Sequence, residues 1–589
     1  MQTYNYGAIG NGAFIGLIDT DADVKWLCWP RFDSSYVFGS LIDEEAGGHF
    51  SIQPVGEFNS YQYYSKNTNI LITEFRSGAG GFRVIDFAPR FRRYDRFYKP
   101  LMLVRKLELV SGAPLVRVVC NPKGDYGKVS PAPQIASNHI EYLGLENSLR
   151  LTTDLSLNYV ANSAPFVLNQ NRYIVMTWGL PLEAPLYETC EAFLHNTKKY
   201  WRDWVLKSSV GYFHQEQVIR SALALKLHQY DDTGAIIASC TTSLPEKLGS
   251  TRNWDYRYCW IRDAYYTLSA LNHTSHFREL EMYAQYLQNI AIHNPDRYQP
   301  VYTITGEADM NEIELELDGY KHSKPVRVGN QAHTHIQNDV YGQILLSLMP
   351  LYTDARFIDV KVDEARFMVR QLLAKIEQTM DEPDAGIWEF RNSQQKHCYT
   401  FLFHWAGSVA GQKIAARIGD MTLYSYAQNL TRKAEAQIER CYDHKRQVYT
   451  QAVGSPHLDA SILALVNLHY LDSKPDRARQ HLQVLEQDLS FGNSLFYRYR
   501  HEDDFGKPQV AFLLCAFWYV EALARTGQVD KAIKYFEELL KYQNHLGLMS
   551  EGYDTQNECQ SGNFPQTYSH VGLMNAAFSI NNHLNNPLL

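Results

Sequence analysis

The sequence predicts a two-part fold in which an antiparallel super-β-sandwich is followed, after a linker helix, by a large helical domain. Short alternating apolar runs separated by Gly, Pro and Asn fill residues 1–185. The next run, Tyr187–Lys207, has helical spacing and contains no Gly or Pro, so we interpret 186–211 as the linker helix. Helical patterns then recur through 212–589, which we take as the functional domain.

The predicted sandwich begins with two apolar runs, Phe14–Ile18 and Val24–Trp29, joined by an Asp-rich turn. The aspartates of this turn resemble the start of a calcium-binding loop. That loop would need Gly at its sixth position and a carboxylate at its twelfth, where Pro30 stands, so we predict a hairpin. Further predicted strands are 69–75, 81–87, 102–110, 115–120, 139–142, 150–153 and 172–177.

About a dozen helices are predicted beyond the linker, and no sequence repeat of fixed period is visible among them. Their apolar faces are wide, as in Val510–Ala524, which indicates helices packed on two sides. Twelve helices without a repeat fit a toroid of six inner and six outer helices, although sequence periodicity alone does not establish its closure. The predicted helices are 215–229, 263–271, 277–292, 339–349, 362–380, 399–418, 424–441, 458–466, 477–489, 510–524, 529–542 and 569–582.

Composition excludes several classes of protein. The chain has 589 residues, of which 45% are hydrophobic, so it can bury a large core. A formal charge of −8 argues against a nucleic-acid or membrane-surface binder. The longest strongly apolar run, Val510–Val520, is shorter than the roughly 20 residues of a membrane span. The amino terminus has no basic region typical of a signal peptide, and nine cysteines are scattered without CxxC pairs, so we expect a cytoplasmic protein.

Aromatic, arginine and acidic side chains crowd together in RNWDYRYCWIRDA at 252–264. Tyr256 and Trp260 alternate there with charged residues and are followed by Arg262 and Asp263. Flat aromatic faces can pack on the C–H groups of a sugar, while guanidinium and carboxylate groups bind its hydroxyls. The alternative is an ordinary helix start, with Asp263 facing the helix dipole.

Two glutamates are candidates for acid–base chemistry. Glu389 stands beside Trp388 after a Pro/Gly-containing loop, and burial against aromatic rings would raise its pKa, as a general acid requires. Glu551 precedes a loop rich in Gly, Asn and Gln, where we expect it to stay ionised and activate a water. The alternatives are a surface carboxylate at Glu389, and Asp554 or helix capping by Ser550 and Glu551. Sequence spacing cannot pair two residues so far apart.

Together these segments resemble glycoside hydrolase family 15, which includes glucoamylases, glucodextranases and α,α-trehalases. The resemblance extends over nearly the whole chain, and its strings RNWDYRYCWIRDA and GNFPQ-x-x-SH are highly specific. The other motifs are AIGNGAFIGLIDTDADVKWLCWPRFDSSYVFGSLID, VIDFAPR, TTSLPEKLGST, GYKHSKPVRVGNQA, NDVYG, GIWEFR, FYRYRHEDDFG, AFLLCAFWYVEALA and SEGYD.

The resemblance implies roles for the residues of these motifs. Glu389 falls on the general acid of the family and Glu551 on its general base. Arg262 and Asp263 match the pair that holds the hydroxyls of the terminal glucose, with Trp260 beside them.

Three more residues are implied to contact substrate or water. Tyr256 matches an aromatic residue near the catalytic water, and Trp388 lines the same pocket. Arg498 matches an arginine that contacts the sugar at or next to the cleaved bond. The fold implied by the family is a super-β-sandwich joined by a helical linker to an (α/α)6 barrel, which agrees with the change from strand to helix patterns near Glu183.

The sequence departs from the family pattern in two places. Phe401 or Leu402 stands where a lysine is expected, and the stretch GYKHSKPVRVGN lacks the tryptophan of fungal glucoamylases. We expect both changes near the pocket rim, where they would affect the choice of substrate.

The expected activity is hydrolysis, with inversion, of α-1,4-glucans or malto-oligosaccharides from the non-reducing end. The alternatives are an α,α-trehalase, or an exo-glucosidase that cleaves isomaltose or dextran. A phosphorylase would lack the water-activating base, and a glycan-binding relic would lack the carboxylate pair. We expect no cofactor and no metal, because the carboxylates supply acid and base, and we interpret His333 and His335 as structural. The expected partner is an oligosaccharide or disaccharide substrate, with no nucleic acid or membrane.

Overall fold

The computed structural model describes residues 3–293, 297–357, 361–492 and 494–584. It confirms the two-part organisation, since antiparallel strands dominate up to Trp178 and helices dominate after Leu186. The predicted linker corresponds to one long helix, Leu186–Leu206. The domain limits at 185 and 211 stay predictions.

The strands of the amino-terminal part form antiparallel sheets. They are β1 (Tyr6–Gly10), β2 (Ile15–Asp19), β3 (Val24–Cys28), β4 (Tyr36–Phe38), β5 (His49–Pro54), β6 (Phe58–Tyr64), β7 (Leu71–Ser77), β8 (Gly80–Phe87), β9 (Phe91–Arg93), β10 (Arg96–Tyr98), β11 (Met102–Gly112), β12 (Leu115–Asn121), β13 (Ala132–Ile135), β14 (His139–Leu143), β15 (Leu149–Thr153), β16 (Phe166–Val167) and β17 (Arg172–Trp178).

The largest sheet has the strand order β13-β14-β15-β17-β11-β8-β7-β6, and smaller sheets are β1-β2-β3-β4 and β16-β12-β5. A buried arginine links two of them. Arg105 on β11 donates to Asp86 on β8 at 2.7 Å and also to the carbonyl of Phe50 on β5. Because an unpaired charge at this depth is costly, this pair fixes how the sheets meet.

The predicted strands are present, and the Asp-rich turn is a hairpin as expected. Oδ1 of Asp19 accepts hydrogen bonds from the backbone N–H groups of Asp21 and Asp23 at 2.9 and 2.8 Å, which closes the turn. The sequence patterns missed strands such as β1 and β6. Gly and polar residues alternate with apolar ones there, and their strand conformation depends on neighbouring strands.

The helices lie close to their predicted positions. They are α1 (Leu157–Ala161), α2 (Leu186–Leu206), α3 (Gln215–Leu227), α4 (Ile261–His273), α5 (Phe277–His293), α6 (Val340–Thr353), α7 (Val362–Thr379), α8 (Cys398–Ile418), α9 (Met421–Glu439), α10 (Ala464–Asn467), α11 (Pro475–Leu489), α12 (Leu513–Arg525), α13 (Val529–Leu539) and α14 (Thr567–His583). The predicted helix 458–466 is a 3₁₀ turn, Ala460–Leu463, that leads into the short α10.

The helices α4, α6, α8, α10, α12 and α14 contact one another in sequence, and α14 contacts α4 again. The helices α3, α5, α7, α9, α11 and α13 each contact members of this set. The helices α8 and α12 are buried along most of their length, whereas α9 and α11 bury one face.

Short strands in the connecting segments hold the functional motifs in place. β26 (Ala511–Phe512), β27 (Gly552–Asp554) and β28 (Cys559–Ser561) form one small sheet, and β18 (Cys259–Trp260) pairs with β19 (Val301–Tyr302). The remaining pairs are β20 (Ile313–Leu315) with β21 (Val326–Val328), β22 (Tyr442–Asp443) with β23 (Val448–Tyr449), and β24 (Ser490–Gly492) with β25 (Leu495–Phe496).

The sandwich packs directly on the segments that precede α4. Trp26 on β3 donates from Nε1 to the carbonyl of Cys240 at 2.7 Å, and Arg257 donates to the carbonyl of Ser34 at 2.7 Å. One continuous hydrophobic cluster extends through both parts. The sandwich therefore supports the backbone around the RNWDYRYCWIRDA motif.

Within the described ranges, every helix is too short or too polar to cross a membrane. The apolar run Val510–Val520 lies mostly in the buried α12. All nine cysteines belong to the described residues, and none of them forms a disulfide. A cytoplasmic location stays a prediction.

Candidate active site

All eight residues that the sequence analysis selected line a single pocket: Tyr256, Trp260, Arg262, Asp263, Trp388, Glu389, Arg498 and Glu551. They come from four separate stretches of sequence: the start of α4 and the segment before it, the segment before α8, the segment before α12, and the segment between α13 and α14. The structure therefore brings together the two glutamates that sequence spacing could not pair.

Glu389 sits in a strained turn at the end of the GIWE motif. Its φ of +61° is left-handed, and its backbone N–H bonds to the carbonyl of Gly386 at 3.1 Å. Such a conformation costs energy in a non-glycine residue, so the surrounding contacts must hold it. The turn aims the carboxylate into the pocket.

The surroundings of Glu389 differ from the apolar enclosure expected from the sequence. Its side chain is 25% exposed. Oε1 accepts from Nε1 of Trp260 at 2.8 Å, from Nε2 of Gln337 at 3.2 Å and from Nη2 of Arg262 at 3.3 Å. The expectation of a carboxyl buried against aromatic rings was wrong, because polar groups of other segments bond to the side chain and it stays partly exposed.

Glu551 is fixed immediately before β27. Its backbone N–H bonds to the carbonyl of Asn563, and its carbonyl accepts from the N–H of Leu513. Gly562 lies against the carboxylate with a φ of +75°, and a Cβ atom there would come within 2.4 Å of Oε2. Only glycine leaves room for the side chain in this position.

Glu551 is buried rather than in the polar setting expected from the sequence. It is 3% exposed, and burial followed by the negative charge of Glu246 raises its pKa to about 8. A hydrogen bond from Tyr256 at 2.6 Å and the charge of Arg498 act in the opposite direction. The expectation of a polar setting was therefore wrong, because segments distant in sequence enclose the carboxylate.

The two glutamates are linked through neighbouring aromatic side chains. Tyr256 donates to Glu551, Trp260 donates to Glu389, and the two rings meet edge to face with their centroids 5.6 Å apart. Trp260 is the last residue of β18, and Tyr256 lies three residues before that strand. A shift of either ring would thus move one carboxylate relative to the other.

Arg262 and Asp263 form the buried end of the pocket at the start of α4. Arg262 donates from Nε to the hydroxyl of Tyr568 at 2.7 Å and from Nη1 to Oε1 of Gln337 at 2.6 Å. Burial raises the pKa of Asp263 to about 7, although Arg262 and Tyr568 oppose this shift. These groups give the closed end several fixed donors and acceptors for hydroxyls.

Trp388 and Arg498 are held by buried carboxylates. Trp388 donates from Nε1 to Asp459 at 2.7 Å. Both Nη atoms of Arg498 donate to Glu246, each at 3.0 Å. Such bidentate pairs have a fixed geometry, so the guanidinium has a defined place in the pocket.

Several pocket residues were missed by the sequence analysis. Glu246 and Tyr568 line the pocket, and Gln337 bonds to Arg262 and Glu389 from behind its lining. All three lie in or beside the quoted motifs, but a single sequence gives no sign of these positions. Asp554, the alternative to Glu551, accepts hydrogen bonds from the N–H groups of Gln556 and Asn557 and stabilises a turn. It does not line the pocket.

The expectation that the missing lysine's position lies near the pocket rim was also wrong. Phe401 and Leu402 are buried in α8 and do not line the pocket.

The two histidines interpreted as structural differ in position. His333 bonds through Nδ1 to the carbonyl of Asn330, whereas His335 lines the pocket. In the part of the chain that the structure describes, no group of three or more His, Cys, Asp or Glu could hold a metal ion. Metal-free chemistry stays a prediction.

A pocket with paired carboxylates, aromatic walls and a closed polar end is typical of enzymes that hydrolyse glycosides. The chain belongs to glycosyl hydrolases family 15: the model of that family matches residues 213–578. A second model, described as a trehalase-like amino-terminal domain, matches residues 5–154.

Curated relatives match along almost the whole chain. A protein of Thermoplasma volcanium named trehalase is 30% identical and covers 97% of this chain and 92% of its own length. Proteins of Thermoplasma acidophilum and Mycobacterium tuberculosis, also named trehalase, are 30% identical and cover 95% and 96% of this chain, with 97% and 87% of their own lengths.

Among solved structures, a bacterial glucoamylase complexed with acarbose shares the fold. It aligns with a TM-score of 0.70 at 13% identity, and the alignment covers 98% of this chain and 93% of the other. The alignment therefore spans both the β-rich and the helical part of this chain.

Proposed function

We propose that the protein is an inverting α,α-trehalase that hydrolyses trehalose to two glucose molecules. The observation that carries the proposal is the pair Glu389 and Glu551 in one pocket with a closed polar end. The trehalase names of relatives that match over nearly the full length favour trehalose over the α-1,4-glucans expected from the sequence.

In the proposed mechanism Glu389, protonated, gives its proton to the glycosidic oxygen as the bond breaks. Glu551, ionised, takes a proton from a water that attacks the opposite face of the ring. Tyr256 donates to Glu551 and stabilises its ionised form. Room for this water requires carboxyl groups about 6.5–9.5 Å apart, against about 5–5.5 Å in a retaining pair.

The remaining site residues bind the sugar. Arg262 and Asp263 hold hydroxyls of the glucose at the closed end, and Trp260 and Trp388 form its walls. Arg498, fixed by Glu246, contacts the sugar near the cleaved bond. The helices contact one another in sequence, and α14 contacts α4 again, which supports an (α/α)6 barrel around this pocket.

The experiment that tests this function is a substrate panel of trehalose, maltose, maltotriose and isomaltose at equal concentrations. We expect the highest kcat/KM on trehalose. A higher kcat/KM on maltotriose would instead support the glucoamylase-like activity, and the highest value on isomaltose would support a dextran-cleaving one.

A further inference from the structure

The open side of the pocket is bordered by a loop that ties back to the segment carrying Glu389. We call residues 503–506 the clasp. Asp504 accepts from the backbone N–H of Arg391 at 2.6 Å and from Nδ2 of Asn392 at 2.8 Å. Arg252 donates to Asp503 and, at 2.8 Å, to the carbonyl of Gly506. The clasp is thus anchored on two sides.

Phe505 of the clasp forms a stack with an aromatic ring and a guanidinium group. Arg391 lies 4.8 Å from the ring of Trp254 and 5.1 Å from that of Phe505, and these rings meet edge to face at 5.0 Å. All three side chains line the pocket and are partly exposed, whereas Arg262 and Asp263 are buried. The stack therefore forms the mouth, opposite the closed end.

The anchor of the clasp lies close to the candidate acid. Arg391 is two residues from Glu389, so the Cα atoms of the two residues lie within about 7 Å of each other. Both side chains line the pocket. A substrate that extends from the candidate acid towards the mouth would therefore meet the clasp.

A side chain without a partner faces the pocket. His335 lines the pocket, and both of its ring nitrogens are buried without a hydrogen-bond partner. Burial lowers its pKa, and the charges of Glu389, Arg391 and Asp504 act on it. A neutral imidazole offers one donor and one acceptor, which matches a sugar hydroxyl, and a buried polar group left unpaired is costly.

We propose that His335 binds a hydroxyl of the leaving-group sugar and that the clasp closes the pocket behind that sugar, so the site accepts disaccharides and excludes longer chains. This assignment rests on the proposed hydrolysis and replaces the interpretation of His335 as structural. It also gives a physical reason for a preference for a two-sugar substrate.

The first test opens the clasp with the double variant Asp504→Ala/Asn392→Ala. Its substrates are trehalose and the trisaccharide α-1,4-glucosyl-trehalose, compared by kcat/KM. We expect wild-type protein to discriminate strongly against the trisaccharide, and the ratio of trisaccharide to disaccharide to rise at least about tenfold in the variant. Glu57→Ala, an exposed residue of the sandwich, is the matched control and should leave the ratio unchanged.

An unchanged ratio in a folded clasp variant, or a wild-type protein that cleaves the trisaccharide as well as trehalose, would overturn the proposal. Thermal melting reports whether the variant is folded. If trehalose is not a substrate, the same comparison is made with maltose and maltotriose. The clasp proposal is then tested by the ratio of kcat/KM for maltotriose to kcat/KM for maltose. Failure of the trehalase proposal is a separate result.

The second test replaces His335 by Ala and by Asn. We expect His335→Ala to raise KM for trehalose about tenfold with little change in kcat, and His335→Asn to recover part of the loss. With p-nitrophenyl α-D-glucoside, which has no second sugar, His335→Ala should have no effect on KM. Equal effects on both substrates, or a lower melting temperature with unchanged KM, would show a structural role instead.

Discussion

Arg498 and Glu246 form a bidentate ion pair beside Glu551, with both nitrogen–oxygen distances at 3.0 Å. The pair places one negative and one positive charge next to the candidate base. The negative charge raises the pKa of Glu551 and the positive charge lowers it. The protonation of the base is thus sensitive to residues that do not take part in proton transfer.

Glu246→Gln should move the pH dependence of activity. Glu551 must be ionised to accept a proton, so kcat/KM rises with pH as Glu551 deprotonates. Removing the charge of Glu246 lowers the raised pKa of Glu551, and the acid limb of the profile should shift to lower pH. A profile of kcat/KM from pH 4 to 9 measures the shift.

Tyr256→Phe should shift the same limb in the opposite direction. The lost hydroxyl stabilises ionised Glu551 through a 2.6 Å hydrogen bond, so its removal raises the pKa. Opposite shifts in Glu246→Gln and Tyr256→Phe would support Glu551 as the titrating base. Shifts of the same sign in both variants would contradict it.

Glu389→Gln and Glu551→Gln should each lower kcat by at least about 10²-fold, because proton transfer by a positioned side chain contributes about 10²–10⁴-fold. Gln is nearly isosteric, so circular dichroism and melting temperature should stay close to wild type. Near-normal turnover of either purified variant would remove that residue from the mechanism.

The first products from trehalose should be one α- and one β-glucose. Inversion converts the attacked sugar to the β-anomer, while the leaving sugar keeps its α-configuration. Proton NMR in the first minutes, before mutarotation, separates the two anomers. Two α-glucose molecules would indicate retention and contradict the proposed water position.

Asp231→Asn should destabilise the contact between the two parts of the chain. Burial would raise the pKa of Asp231, but Arg90 and Lys226 outweigh it and lower the pKa to about 2. Removing the carboxylate leaves the buried Arg90 without its carboxylate partner, although Lys226 keeps Glu279 at 3.1 Å, and breaking such a buried pair costs about 3–5 kcal/mol. Urea unfolding at pH 7 measures the loss of unfolding free energy.

The pH dependence of that loss follows from linkage. A carboxylate with a lowered pKa stabilises the fold above its unfolded value of 3.8, and this contribution disappears as pH falls through about 2. The difference between wild type and Asp231→Asn should therefore shrink between pH 4 and pH 2. A constant difference across this window would show that the charge of Asp231 does not matter.

The sequence predicted most helices because their apolar spacing is a local property. The helix α8, predicted as 399–418, is found at Cys398–Ile418. The strand β6 was missed because its sequence is largely polar, and its strand conformation depends on pairing with β7. Long-range pairing limits strand prediction more than helix prediction.

Only part of the candidate site could be predicted from the sequence. Motifs identified Glu389 and Glu551, but their environments were reversed, because Gly562 and Tyr256 enclose Glu551 from other segments. The role of His335 could not be recognised either. An unpaired nitrogen is a property of the folded pocket and leaves no trace in spacing.

The hydrogen bonds from Trp26 and Arg257 between the β-rich and helical parts have a practical consequence. The segment before α4 is held in place by the β-rich part, which contributes none of the predicted site residues. A chimera that exchanges only the helical part between relatives would have mismatched contacts between its β-rich and helical parts. Engineers should transplant both halves as one unit, even when only catalysis is wanted.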